Sequence, residues 1–275
     1  VVLRNEAAII ADRKFLAREG ADNFYSVYRC HNYHFKIYGA MFLAQPTVAL
    51  EAAEELISTL PPETLRPMAD WFEGFIPMKQ HVLIRFGRWQ DILDQPLPQD
   101  QSLYCVTLAM MRCARTVALA NLHRIKDAEA EKDAFYRALD QVPDTRMLFN
   151  NRCLDILKIA EQMMLGELAY HKADHDVAFA HLRASVEIDD ALPYDEPWGW
   201  MQPTRHALGA LLLDQEQRHR GRGGLSRRSW AGCDPKPGLP ASRQCLEPSR
   251  FARMPDPTQG HRGSPAHKAA IGQGC

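Results

Sequence analysis

Over the first 216 residues, apolar positions recur at helical spacing, and beyond them the pattern stops. Residues 3–19 are rich in Ala, Leu, Ile, Glu and Arg and predict a first helix that Gly20 ends. Asp22 can cap a second helix whose face carries Phe24, Val27, Phe35, Tyr38 and Phe42. Pro46 falls in a turn. Ala49, Ala52, Ala53 and Leu56 then mark a helix over 48–60, which Pro61 and Pro62 close. Further helices are predicted over 64–86, 89–94, 102–122, 126–141, 148–172, 176–188 and 203–216. No stretch alternates with period two, so the expected fold class is all-α with almost no strand.

Short helix pairs with small residues at their crossings suggest a repeat array. In 162–190, Leu165 and Gly166 are followed by Ala169, Ala178, Leu182 and Ser185. Gly166 and Ala178 leave room for two helices to approach, and Leu182 can fill the groove between neighbours. Phe135, Ala138 and Pro143 close a second unit, Leu208, Gly209 and Leu212 open a third, and Tyr38, Gly39 and Phe42 open an earlier one. Phe86-Gly87-Arg88-Trp89 reads as the turn of another. These residues resemble the tetratricopeptide repeat. The segments CHNYHFKIYGAMFL and EPWGWMQPTRHALGALL resemble an uncharacterised microbial family with that domain. The resemblance implies a right-handed α-solenoid of TPR-like helix pairs over 1–216, cut at both ends. The early tryptophan is replaced by Gln162 and Arg205, and the units run to about 42 residues against 34 in the standard repeat, a length shared by armadillo and HEAT-like solenoids.

Charge divides the chain at the same place. Residues 217–275 hold 11 Lys+Arg against 3 Asp+Glu, and residues 1–216 hold 22 against 31. The second part also takes 9 of the 16 glycines and 7 of the 18 prolines, too few apolar side chains to offset ordering entropy. It is expected to be a disordered basic tail. The phase set by Gly209 calls for alanine at position 221, where glycine stands. Read one nucleotide out of frame, codons for 220–230 can give EAEAVYRADLG, which restores the repeat. A frameshift or retained intron after about Gln217 is therefore the preferred origin of the segment. A genuine tail is the other.

The acidic body argues against a nucleic-acid surface unless that basic tail is genuine. Seven cysteines form no CxxC pair, which fits reduced thiols in the cytoplasm, and no apolar run is long enough to span a membrane. No phosphate loop, HExxH or nucleophile–base arrangement is present, so no catalysis, cofactor or metal is expected.

Tyr25, Tyr28, Arg29, Asn32, Asn150, Asn151 and Arg152 fall on first helices of their units. In a solenoid such helices line the concave face, where these side chains can hold an extended peptide. Trp198 and Trp200 lie in the Pro-bounded stretch 193–203, either as a recognition surface or as a plug over an apolar seam. His31 reads as a core histidine, His171 and His175 as solvated. The expected function is a protein–protein interaction scaffold for a neutral or basic protein or peptide segment. The alternative is an enzyme, or a metal or small-molecule binder, built where His31, His34, His206, Asp195 and the Trp198–Trp200 loop converge.

Overall fold

The computed structural model describes residues 1–20 and 25–221. The readings placed on Asp22, Phe24 and residues 222–275, the reading frame included, lie outside them. In chain order the helices are α1 (Val2–Glu19), α2 (Tyr25–Phe42), α3 (Pro46–Ser58), α4 (Pro62–Leu65), α5 (Ala69–Phe72), α6 (Met78–Arg85), α7 (Trp89–Asp94), α8 (Cys105–Asn121), α9 (Ile125–Leu139), α10 (Cys153–His171), α11 (His175–Ala191) and α12 (Thr204–Gly221). Two short strands, β1 (Met147–Leu148) and β2 (Asn151–Arg152), form a hairpin between α9 and α10. The expected all-α character holds.

Four of the helices end in the same way. Ala44, Gly87, His123 and Ala173 take left-handed φ of 53°, 63°, 58° and 65°. The next amide reaches back five residues, Gln45 to Ala40, Arg88 to Leu83, Arg124 to Leu119 and Asp174 to Ala169, at 2.8–3.0 Å. This is the Schellman arrangement, which satisfies carbonyls that the helix end would otherwise strand. The residue that closes each motif is the N-cap of the next helix. Four helix–turn–helix pairs result: α2/α3, α6/α7, α8/α9 and α10/α11. Only one of the four left-handed positions is glycine, so the repetition is hidden in the sequence.

Successive pairs pack through α3 on α6, α6 on α8 and α8 on α10, and α12 lies against α11. Helix α8 is buried along nearly its whole length, as its apolar run CVTLAMM requires. Gly166 of α10 works as expected: an added Cβ would lie 2.7 Å from Cγ of Leu182, and Leu182 and Ala178 are fully buried.

Three expectations need correction. Helix 64–86 is broken into α4, α5 and α6 with tight single turns between, because Pro67 and Pro77 cannot donate within a helix. Helix 148–172 begins only at Cys153, and the hairpin precedes it. The buried face of α2 is Cys30, Tyr33, His34, Ile37, Ala40 and Met41, while Phe42 is 45% exposed. Packing against α1, α3 and α6 chose that face over the expected one. The hairpin is held by Arg146, which precedes β1. Its Nε donates to the fully buried Glu73 at 2.9 Å, and it pairs with Asp70. Glu73 also accepts from the amide of Thr107 at 2.9 Å, its hydroxyl at 3.1 Å and the Cys105 thiol at 3.4 Å.

Candidate functional site

The loop over 192–203 runs back along α2 to α12 and meets the hairpin. Prolines 193, 197 and 203 deny it helical hydrogen bonds, so side chains anchor it. The Asp195 carboxylate accepts from the amides of Asn150 and Glu196 and from Nδ2 of Asn151 at 3.0–3.2 Å. Gln202 donates to the backbone oxygen of His81 at 2.8 Å. Thr204 donates its hydroxyl to Asp189 at 3.0 Å. Trp200, 3% exposed, meets the His81 ring edge-on at 4.7 Å, and Sδ of the buried Met201 lies 2.7 Å from Nε2 of His34.

Phe149 turns the hairpin at φ 48°, a conformation that a bulky residue rarely adopts. Its ring is fixed between His31 at 5.2 Å, Phe75 at 5.1 Å and His34 at 6.2 Å. The result is an aromatic seam with imidazoles inside it. Burial pushes both His34 and His81 down to about 3, and His34 also feels its two neighbouring histidines. Burial lowers His31 too, against the opposing pull of Asp195 and Glu196. The Nδ1 atoms of all three, Oδ1 of Asn151 and Nε1 of Trp200 are buried with no hydrogen-bond partner among the described residues. Neutral imidazoles can exchange hydrogen bonds with a polar ligand but supply no positive charge. Among the described residues no three His, Cys, Asp or Glu side chains come close enough to hold a metal. Cys105 and Cys153 have thiols pushed up by burial, the wrong direction for a nucleophile.

The structure thus brings together His31, His34, Asn150, Asn151, Asp195 and Trp200. His206 lies elsewhere, 5.9 Å from the Phe42 ring and near Arg85. The expected peptide-holding side chains are placed differently from the sequence reading. Arg29, Asn151 and Trp200 are buried at 3%, 1% and 3%, because each anchors an interior contact. Arg29 donates to the Thr59 carbonyl at 3.1 Å and Asn32 to Asp12 at 2.8 Å. Asn150, Asn151 and Arg152 belong to the hairpin rather than to a helix, and Arg152 pairs with Asp155 at 2.8 Å. Tyr25, Tyr28 and Trp198 stay exposed at 49%, 51% and 38%. His31 is half-buried, edge-on to Phe35 and Phe149, and the core histidine is His34. His171 and His175 are half-buried rather than freely solvated: both pack on Tyr170.

A groove of about 580 Å³ was not foreseen. It lies between α7, α8 and α9. Leu93, Leu119, Ala130 and Ala134 line it, together with Arg112, Arg115, Arg124 and Arg137 and with Asp94, Asp127 and Glu131. Glu131 accepts from Arg112 at 2.8 Å and from Arg115 at 2.9 Å, and Arg115 also donates to the Leu93 carbonyl at 2.8 Å. Arg124 pairs with Asp127. The i, i+3 spacing of Arg112 and Arg115 was the available signal, but it has no meaning until α7 is laid beside α8.

Among the described residues no helix is long and apolar enough to cross a membrane. Comparison with models of known families, with curated proteins and with solved structures finds no match for this chain.

Proposed function

We propose that the chain is an interaction scaffold: a right-handed solenoid of TPR-like helix pairs that presents grooves to a protein or peptide partner in the cytoplasm. The observation that carries the reading is the shared turn of the four helix pairs, since repeated pairs in register generate extended surfaces rather than a single enclosed site. The raised thiol pKa values and the neutral imidazoles agree with a role that needs no nucleophile. Screening the purified chain on an array of peptides of varied charge and hydropathy tests it. Repeated retention of peptides that share a pattern supports the proposal, and retention of none overturns it.

A second reading draws on the unpartnered Nδ1, Nε1 and Oδ1 atoms under the 192–203 loop: a small polar ligand held at the aromatic seam. Thermal-shift screening against small polar metabolites, followed through Trp200 fluorescence, separates it from the first. A ligand that raises Tm in the wild type but not in a His81→Leu variant favours this second reading.

A further inference from the structure

The groove between α7, α8 and α9 is the place where charge and shape together specify an occupant. Residues 1–216 carry nine more acidic than basic side chains, whereas this groove is lined by four arginines against three carboxylates. Arg124 pairs with Asp127 and Asp94 accepts from Gln90 at 2.7 Å, so the groove as a whole keeps one cation in excess. One carboxylate, Glu131, serves both Arg112 and Arg115, which are held rigid with side chains 23% and 21% exposed. Arg137 is exposed and has no ion-pair or hydrogen-bond partner among the described residues. Preorganised guanidinium groups favour carboxylates, which they bind through two parallel donors.

Shape narrows the occupant further. Ala130 and Ala134 leave the α9 wall low, and Leu93 and Leu119 add apolar lining. From Asp127 to Arg137 the α9 wall runs ten residues, roughly 15 Å at 1.5 Å per residue. An extended strand of about five residues has that length. In an extended segment alternate side chains point to opposite sides, so apolar ones can enter the groove while acidic ones reach the arginines. Two of the three walls, α7 and α9, are second helices of their pairs, so this is not the first-helix face that the sequence pointed to.

We infer that this groove binds an acidic peptide segment in extended conformation, apolar at alternate positions. The inference rests on the interaction reading above and replaces the neutral or basic partner expected from net charge. Fluorescence anisotropy on the full chain tests it, with a labelled heptapeptide alternating leucine and glutamate and its leucine–lysine counterpart. The acidic peptide should bind. Its affinity should fall about tenfold or more in Arg137→Glu, which touches no internal contact, and in Ala134→Trp, which fills the groove. Equal binding of both peptides, or affinity unchanged by Arg137→Glu, overturns the inference. If array peptides of other charge bind and are indifferent to both substitutions, the groove is wrong and the scaffold stands. If no peptide binds, both fall. Circular dichroism of each variant shows that the fold is retained.

Discussion

Gly166 sits against Leu182 so closely that a Cβ on the glycine would lie 2.7 Å from Cγ and 2.9 Å from Cδ2 of the leucine, and 3.2 Å from the carbonyl oxygen of Ala178. The backbone carbonyl cannot move away without shifting α11. Gly209 of α12, by contrast, meets nothing within 4 Å. Gly166→Ala should therefore destabilise by about 1–2 kcal/mol, since overpacking exceeds the gain in helix propensity. Gly209→Ala should stabilise by about 0.5–1 kcal/mol. Denaturant midpoints of the two variants check this. A Gly166→Ala protein at least as stable as wild type would contradict the packing.

The Glu73–Arg146 pair invites a different test. Glu73 is fully buried, and burial outweighs its hydrogen bonds and pushes its carboxyl pKa up. Arg146→Met removes the cation and leaves the carboxylate in the interior, which costs about 3–5 kcal/mol. Glu73→Gln keeps an acceptor for Thr107 and removes the stranded charge. The double variant should recover a large part of the loss, because removing both charges is cheaper than removing one. Unfolding free energies from chemical denaturation of the three proteins measure the coupling, and simple additivity would refute it.

Buried neutral histidines make stability depend on pH. His34 and His81 titrate near 3 in the fold and near 6.5 when unfolded. Below pH 6.5 the unfolded chain takes up protons that the folded one refuses, so stability present above 6.5 is lost as pH falls toward 3. At pH 5 each histidine contributes a loss of about 2 kcal/mol. Two carboxyls oppose the trend. Glu167, pushed up to about 7 by burial, and Glu73 contribute stability at low pH that declines as pH rises through their folded values. The difference between wild type and His34→Leu isolates the imidazole. Between pH 7 and 5 the denaturant midpoint of His34→Leu should fall less than that of wild type, and parallel curves would count against a buried neutral His34.

The sequence carried the packing signals better than the site. Gly166, Ala178 and Leu182 announced their contact because the small–small–large order is local to one helix pair. The buried face of α2 was not legible in the same way. It is apolar on two sides, and only the positions of α3, α6 and the 192–203 loop decide between Phe42 and Met41. His31 and Asp195 were recognised as chemistry-bearing, but their approach depends on a hairpin turned by Phe149 at positive φ, which no residue preference indicates. The groove arginines all lie on the α8/α9 pair and its turn, but the wall opposite them, Leu93 and Asp94 of α7, is set beside them only by the tertiary fold.

Thiol accessibility tests the same core from another direction. Cys30 and Cys113 are 0% and 1% exposed, and burial pushes both up to about 12. Cys105 rises to about 11, first from burial and then from the Glu73 carboxylate to which its thiol donates. Cys153 is raised in the same way. Alkylation needs an accessible thiolate, and these four offer neither access nor charge in the fold. With iodoacetamide at pH 8, all four should remain unmodified in the native chain and react within minutes in denaturant, as read by peptide mass spectrometry. Arg146→Met should expose Cys105 first, because loss of the guanidinium frees the hairpin and the turn carrying Glu73 before it disturbs α2 or the middle of α8. Uniform acceleration at all four cysteines would mean instead that the Glu73–Arg146 pair holds the whole fold rather than its hairpin.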